Sequence, residues 1–278
     1  MCPLQDIKRL LKPIGTDNTS GSVTIALQAL SRVRRFAVRT DVRVSAHLCR
    51  TIAEDLIAAQ PSMGIILNLA DGIRNLHQPV DKETLLWFLD RFEAAIEAHT
   101  QTIAHTVARL LQRSHLVMTY SSSSTVLAGL RAAYQAGASF QVVVPESRPM
   151  NEGSRMMAEL DRSSIPVIYG TDAAALSTLA SGDVDAVLIG ADARLADGLV
   201  CKTGSLAIAG LCRRTKTRLY GLYGTEKIVP PALVKKFVIS DKRVEELTRM
   251  KGTNITVSNR YFEVVPVRLF TRMITDQD

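Results

Sequence analysis

The hydrophobic pattern of this chain changes after His115, and that change constrains the fold more than any other feature of the sequence. Beyond it, short runs of aliphatic residues alternate with stretches that carry apolar residues at helical spacing. Such alternation predicts a mostly parallel sheet with helices on both faces. The predicted strands are Leu116–Thr119, Phe140–Val144, Val167–Tyr169, Ala186–Ile189 and Leu219–Leu222, with a late edge strand at Tyr261–Pro266.

Residues 1–112 show helical spacing and no strand pattern. The sequence therefore predicts a helical domain over residues 1–112, followed by an α/β domain over residues 113–278. The predicted helices of the first domain are Val23–Val33, Val44–Gln60, Ser62–Leu76 and Lys82–Gln112. Those of the second domain are Thr125–Ala136, Arg155–Asp161, Ala173–Ala180 and Ser205–Arg213.

The composition is that of a globular protein, with 46% hydrophobic and 22% charged residues. No run of roughly 18 apolar residues predicts a membrane span. The four cysteines are scattered, which favours reduced thiols in the cytoplasm and gives no indication of a zinc or other metal site. A net charge of +7 favours anionic partners such as sugar phosphates, nucleotides, RNA or an acidic protein. Few aromatic residues and no known RNA-binding module argue against nucleic acid, so an RNA-associated protein is the third choice.

Four segments that follow predicted strands are rich in glycine, serine and charged residues. Ligands of open parallel sheets bind beyond the carboxyl ends of the strands. We therefore expect the four segments to converge at one edge of the sheet and to form a ligand site. They are Tyr120–Ser124, Pro145–Gly153, Gly190–Ser205 and Tyr223–Pro231.

The serine run Ser121–Ser124 has two interpretations. One serine is enough to cap the helix that is predicted to begin beside it. Four hydroxyls with the free N–H groups of a helix start also make an anion site. Gly204 and Ser205 open a second helix that suits an anion in the same way. The K-x-G-S order from Lys202 to Ser205 lacks the first half of a P-loop, which excludes a Walker-type nucleotide site.

The charged residues of these segments also have two interpretations each. Asp192 directly follows an apolar strand, so it is half-buried by position and is either a capping carboxylate or an acid/base group. Arg148 forms either a surface ion pair with Glu146, which contributes little, or a buried guanidinium site for phosphate or carboxylate. Lys202 adds positive charge to the site, and Lys227 is either a surface lysine or a further charge in the same pocket.

Several segments resemble one protein family in their order and spacing: ESRPMNEG, GADARLADGLVCKTGS, YGTEKIVPP and EVVPVRLFTRMITDQD. They are similar to segments of the alpha, beta and delta regulatory subunits of translation initiation factor 2B. Ribose-1,5-bisphosphate isomerase and methylthioribose-1-phosphate isomerase are relatives of these subunits. The resemblance covers nearly the whole chain and is looser in the helical half. It implies a helical N-terminal domain followed by a Rossmann-like domain that forms dimers, with no cofactor.

The resemblance implies a catalytic pair in the isomerases, a cysteine after the first strand and an aspartate. Asp192 matches the aspartate, but Ser121 stands where the cysteine would be, and a hydroxyl is a far weaker acid than a thiol. Ser20 and Gln60 stand where the isomerases have arginines, and Cys201 stands where they have an asparagine. The candidate ligand-binding residues are Gly21, Ser22, Ser122, Ser123, Ser124, Arg148, Cys201, Lys202, Gly204 and Lys227.

The joint loss of the thiol and of both arginines favours a non-catalytic protein. We therefore predict a regulatory protein similar to the initiation factor 2B subunits, which binds a sugar phosphate or nucleotide at the carboxyl ends of the strands. The alternative is a divergent aldose–ketose isomerase acting on ribose 1,5-bisphosphate or methylthioribose 1-phosphate. In it Asp192 is the acid/base, and Ser121 or a water replaces the cysteine. Either protein is expected in the cytoplasm as a homodimer or higher homo-oligomer, with room for a protein partner.

Overall fold

The computed structural model describes residues 3–39, 44–77, 80–250 and 252–278 of the chain. Within these ranges the chain forms two compact units. The first unit comprises the described residues up to His99 together with Thr225–Val238, and the second comprises Thr100–Gly224 with Ile239–Asp278. The domain limits predicted at residues 112 and 113 stay predictions.

The first unit is helical, as the sequence predicts. Ser45 caps the helix Ala46–Ala59 by accepting a hydrogen bond from the N–H of Leu48 at 3.3 Å, and Asp81 caps the helix Lys82–Leu110 by accepting one from the N–H of Thr84 at 2.8 Å. All four predicted helices are present, and one more precedes them. The helices are α1 Pro3–Thr16, α2 Ser22–Arg39, α3 Ala46–Ala59, α4 Gly64–Arg74 and α5 Lys82–Leu110, the last of which continues into the second unit. Two short 3-10 helices, Thr225–Lys227 and Pro231–Lys236, also belong to this unit.

The second unit contains a six-stranded parallel sheet with the strand order β3 (Val167–Gly170), β2 (Gln141–Pro145), β1 (Leu116–Thr119), β4 (Ala186–Gly190), β7 (Arg218–Leu222) and β9 (Arg272–Ile274). This confirms the predicted α/β fold with a helical N-terminal part, and the five strands predicted for this sheet are present to within one residue. The strands are β1 Leu116–Thr119, β2 Gln141–Pro145, β3 Val167–Gly170, β4 Ala186–Gly190, β5 Ala193–Arg194, β6 Gly198–Lys202, β7 Arg218–Leu222, β8 Phe262–Pro266 and β9 Arg272–Ile274. The helices are α6 Ser124–Gln135, α7 Gly153–Asp161, α8 Asp172–Ser181 and α9 Ser205–Thr215.

The segment Gly190–Ser205, which the sequence analysis treats as one loop, contains two strands. β5 and β6 form an antiparallel hairpin, and β8 pairs with β6 to complete a small second sheet. The signal was Asp197–Gly198, a dipeptide common in hairpin turns, followed by an apolar run, although in the structure Gly198 already belongs to β6. The late strand β8 is thus at an edge, as predicted, but of this second sheet.

The core of the second unit lies on both faces of the parallel sheet, because alternate residues of a strand point to opposite sides. On β1, Val117 packs into one buried cluster and Met118 into the other. The first cluster takes residues of α6 and α7 and the last turns of α5, and the second takes residues of α8 and α9. Burying a Val or Leu side chain contributes about 1.5–3 kcal/mol, so these layers hold the strand ends in place.

None of the described helices combines the length and the apolar character that a membrane span needs.

Candidate functional site

The site predicted at the carboxyl ends of the strands falls at the point where the sheet changes direction. From β1 the chain adds β2 and β3 on one side, and then crosses to add β4, β7 and β9 on the other. Open parallel sheets bind ligands in the crevice at such a switch point. The residues Ser121–Ser124, which we call the serine loop, follow β1, and Asp192 follows β4. Both therefore border the switch point.

The serine loop joins β1 directly to α6. Ser123 caps the helix, since its Oγ accepts a hydrogen bond from the N–H of Val126 at 3.3 Å, and Ser124 is the first helical residue. The capping interpretation is therefore confirmed for Ser123. A Cβ atom at Gly190 would lie 2.3 Å from Ser123 Oγ, so only glycine lets the end of β4 approach the loop this closely.

Ser121 has an unusual backbone conformation that a neighbouring loop supports. Its φ is +64°, in the left-handed region that few residues other than glycine adopt. Its N–H donates to Ser147 Oγ at 2.8 Å, and Ser147, which is fully buried, also has a positive φ of +63°. Asp172 accepts from the N–H groups of Ser147 at 2.7 Å and of Arg148 at 2.9 Å. The loops after β1, β2 and β3 are thus joined by hydrogen bonds.

Tyr120 lies between the serine loop and the start of α9. Its hydroxyl donates to the carbonyl of Thr203 at 2.9 Å. Burial raises its pKa, and nearby carboxylates led by Asp172 and Glu152 raise it further, so the phenol stays protonated. A Cβ atom at Gly204 would lie 2.5 Å from this hydroxyl, and the φ of +109° at Gly204 also requires glycine.

The N-terminus of α9 is occupied by a carboxylate of the chain itself. Glu263, on β8, accepts hydrogen bonds from the N–H groups of Gly204 at 2.8 Å and Leu206 at 2.7 Å. A carboxylate here is stabilised by the positive end of the helix dipole. The anion that Gly204 and Ser205 were expected to attract is therefore supplied internally.

Lys202 has an internal counter-ion as well. Its Nζ lies 2.6 Å from Glu152 Oε1, and the side chains are only 4% and 12% exposed. Nζ also lies 4.7 Å from the centre of the Tyr261 ring, within the range of a cation–π contact. The second carboxylate oxygen of Glu152 is buried and has no hydrogen-bond partner among the described residues.

The remaining candidates of the second unit differ in exposure. Asp192 is half-buried, as predicted from its position, and its N–H donates to the carbonyl of Val200 at 2.8 Å. Arg148 is exposed, which argues against the buried guanidinium site. Cys201 is fully buried on β6, and Ser122 is half-buried. Among the described residues of this unit alone, no three metal-ligating side chains lie close together.

Gly21, Ser22 and Lys227 belong to the first unit, so their shared site with the serine loop stays a prediction. Ser22 is the buried first residue of α2, and Lys227 is buried at the end of a 3-10 helix. Gln60, which stands where the isomerases have an arginine, has a structural role here. Its Nε2 donates to the carbonyls of Ile14 at 2.8 Å and Asp17 at 3.2 Å.

Sequence reasoning missed four residues that shape this region: Ser147, Glu152, Asp172 and Glu263. Glu263 had a detectable signal, because it is a charged residue inside the apolar run of a predicted strand. Asp172 also had one, because it follows the third predicted strand in the same way that Asp192 follows the fourth. Nothing in the local sequence distinguishes Ser147 and Glu152 from other polar loop residues.

The model of the initiation factor 2 subunit family matches residues 18–277 of this chain. The chain belongs to this family. This agrees with the resemblance carried by the loop segments.

Relatives of the chain include enzymes and an initiation factor. The chain is 27% identical over 288 residues to ribose 1,5-bisphosphate isomerase of Haloferax volcanii, covering 98% of this chain and 88% of the relative. It is 35% identical over 161 residues to methylthioribose-1-phosphate isomerase of Pelotomaculum thermopropionicum, covering 55% of this chain and 44% of the relative. The structure of translation initiation factor eIF-2B from Pyrococcus horikoshii OT3 aligns with a TM-score of 0.86 at 23% identity, covering 98% of this chain and 95% of that one.

Proposed function

We propose that this protein is an aldose–ketose isomerase that acts on a sugar 1-phosphate in the crevice between β1 and β4. The carrying observation is Asp192, which follows β4 at the switch point, across from the serine loop that follows β1. This residue matches the catalytic aspartate of the isomerases that the chain resembles. The full-length similarity to ribose 1,5-bisphosphate isomerase supports this function over the purely regulatory one.

The chemistry is internally balanced and needs no external oxidant or cofactor. The bond between C1 and the ring oxygen breaks, and the C2 hydrogen moves to C1 with its electron pair, so C1 is reduced and keeps its phosphate. C2 becomes a carbonyl, and the proton that its hydroxyl loses ends on the former ring oxygen, which becomes a hydroxyl. A half-buried carboxylate such as Asp192 can accept and return the proton of a sugar hydroxyl. The start of α6, with a neutral serine cap, can take the phosphate. Ser121 takes part as a hydrogen-bonding hydroxyl, because it cannot ionise as a thiol does.

The test is conversion of ribose 1,5-bisphosphate and of methylthioribose 1-phosphate, with the ketose product followed by NMR. Asp192→Asn is expected to lower kcat at least a hundredfold with intact folding. The matched control is Asp197→Asn, an exposed aspartate in the same β5–β6 segment, which should leave kcat unchanged. Ser121→Cys is expected to raise the rate. Equal loss in both aspartate variants, or no turnover by the wild-type protein, would sink the proposal.

A second candidate is a non-catalytic protein that binds a phosphorylated ligand. The observation that favours it is Ser121, which stands where the isomerases have their catalytic cysteine and whose hydroxyl is a far weaker acid than a thiol. If sugar phosphates bind but are not converted, and Ser121→Cys restores conversion, this candidate replaces the first. We also propose that the protein is cytoplasmic and forms a homodimer or a higher homo-oligomer. Light scattering on purified protein measures the oligomeric state.

A further inference from the structure

Three neighbouring loops at the carboxyl edge of the sheet are connected by one chain of hydrogen bonds. It begins at Asp172, the first residue of α8, two residues after the end of β3. It passes through Ser147 and Arg148 after β2, and it ends at Ser121 after β1. Because β3, β2 and β1 are adjacent in the sheet, the chain of contacts runs across the strand ends toward the switch point.

Each hydrogen bond of this series runs from a backbone N–H group to a side-chain oxygen and so restrains the backbone conformation. Both oxygens of the Asp172 carboxylate are used, one on each of two successive N–H groups, so the peptide units on both sides of the Ser147 Cα atom are held. The Ser147 hydroxyl is fully buried, donates to the carbonyl of Pro145 at 3.2 Å and accepts from Ser121. Because its proton is bound to Pro145, the Ser147 oxygen is oriented to accept the hydrogen bond from Ser121.

The two serines need such support. A non-glycine residue with positive φ is disfavoured by contact between its Cβ atom and the backbone, and it persists only where surrounding contacts hold it. Ser121 and Ser147 both have this conformation, and each N–H group is bound to a side-chain oxygen of the next loop. Ser121 itself makes no contact with Asp172 in this chain of bonds, so any influence of the carboxylate on it must pass through Ser147.

We infer that Asp172 is a positioning residue for the ligand site: through Ser147 it holds the backbone of Ser121 in the left-handed conformation that the substrate meets. The inference rests on the proposed function for its effect on the substrate, but not for its effect on the loop. Asp172 is thus expected to influence binding and turnover although two further residues separate it from the substrate.

The structural arm of the test uses no ligand. Amide hydrogen exchange is read residue by residue by NMR in the wild-type protein and in Asp172→Asn, Ser147→Ala and their double variant. In Asp172→Asn, the side-chain NH2 group replaces one acceptor oxygen, so the backbone N–H of Ser147 or of Arg148 loses its acceptor. Exchange is expected to rise at least tenfold at that N–H group and at the N–H of Ser121. Ser147→Ala is expected to raise exchange at Ser121 and to leave Arg148 protected. In the double variant, the rise at Ser121 should not exceed that in Ser147→Ala, because Asp172 acts on Ser121 only through the Ser147 hydroxyl.

The control is Asp161→Asn, which removes the same charge from an exposed aspartate at the end of α7 and should change none of these rates. If Asp172→Asn speeds exchange at Ser147 and Arg148 but not at Ser121, the connection ends at β2 and the inference is overturned. Rates equal to those of Asp161→Asn overturn it as well.

The functional arm measures the dissociation constant and turnover of ribose 1,5-bisphosphate in the same variants. We expect Asp172→Asn and Ser147→Ala each to lower kcat/KM about tenfold. The double variant should show no further loss, because both changes act through the hydrogen bond from Ser121 to Ser147. If the losses of kcat/KM in the two single variants multiply in the double variant, Asp172 does not act through Ser147. If kcat/KM is unchanged although exchange at Ser121 is faster, Asp172 does not position the ligand site. Either result overturns the role of Asp172 in the site. A wild-type protein that neither binds nor converts the sugar phosphate overturns the proposed function, and the exchange rates still decide whether Asp172 holds Ser121.

Discussion

The starts of α6 and α9 lie in the same unit, yet they treat the positive end of a helix in opposite ways. At α6 the cap is Ser123, a neutral hydroxyl. At α9 the N–H groups of Gly204 and Leu206 bind the carboxylate of Glu263. Both starts have the small residues that accommodate an anion, but only α6 leaves the charge of the helix dipole uncompensated by a side chain of its cap.

This contrast indicates which of the two helix starts can bind a phosphate. A phosphate at α9 would have to displace Glu263, and Lys202, on the strand leading to α9, is paired with Glu152. At α6 the phosphate would meet hydroxyls and backbone N–H groups without displacing a carboxylate. We therefore expect phosphorylated ligands to bind beside the serine loop, and the α9 region to act as a structural clamp.

The largest expected effect is at the Lys202–Glu152 pair. Lys202→Met leaves a buried carboxylate without its cation, and loss of one partner of a buried pair costs about 3 kcal/mol or more in the free energy of unfolding. Urea denaturation measures this, with the exposed Lys235→Met as the control. The double change Glu152→Gln with Lys202→Met should recover much of the loss. A single variant as stable as the control would contradict the clamp.

The next effect is at Glu263. Glu263→Ala removes two hydrogen bonds to an ionised group at a helix start, and it should lower the free energy of unfolding by about 2 kcal/mol. The variant is also expected to be stabilised by inorganic phosphate more than the wild-type protein is, because the start of α9 becomes open to an anion. Glu263→Gln, which keeps an acceptor, should lose less. If inorganic phosphate stabilises Glu263→Ala and the wild-type protein equally, Glu263 does not prevent an anion from binding at the start of α9.

A smaller effect is expected at the other helix start. Ser123→Ala removes the cap of α6 and should cost about 1 kcal/mol, measured by the same denaturation. Ser124→Ala, at the exposed first helical position, is the matched control and should stay within about 0.5 kcal/mol of the wild-type protein. Equal effects of the two variants would show that Ser123 is not the dominant cap.

The smallest effect concerns Asp185. Its carboxylate accepts hydrogen bonds from backbone N–H groups at the start of β1, so it is bound to a strand and not to a helix start. Burial works to raise its pKa, but hydrogen bonds from the N–H groups of His115 and Leu116 hold it below the ordinary value of 3.8. Its ionised form is thus favoured by folding, and this stabilisation is present above pH 3.8 and disappears as the pH falls through the lowered value.

Asp185→Asn should therefore cost about 0.5 kcal/mol at neutral pH, since an amide oxygen can replace the acceptor without its charge. The difference from the wild-type protein should shrink as the pH falls below about 4, which denaturation at a series of pH values can measure. A difference that does not change with pH would mean that the charge of Asp185 contributes nothing to the folded state.

Local patterns were enough for much of the fold. The strand β1 has the predicted limits, Ser123 caps the predicted helix, and Asp192 is half-buried because it directly follows a buried strand. The hairpin of β5 and β6 was missed because β5 has only two residues and the segment is rich in glycine and charge. The partner of β6 on its other side is β8, about sixty residues later in the chain, so local sequence does not reveal this sheet.

Local sequence patterns are sufficient to predict the helical N-terminal part, the parallel sheet, the loops that gather at its carboxyl edge, and the family. These features follow from hydrophobic periodicity and from the residues beside each strand, which act over a few positions of the chain. The charge pairs, in contrast, become visible only in the folded structure. Lys202 and Glu152 are 50 residues apart and Gly204 and Glu263 are 59 apart, so no local rule joins them. Packing of the sheets brings these groups together, because a buried charge or a free helix end is stable only when a partner satisfies it.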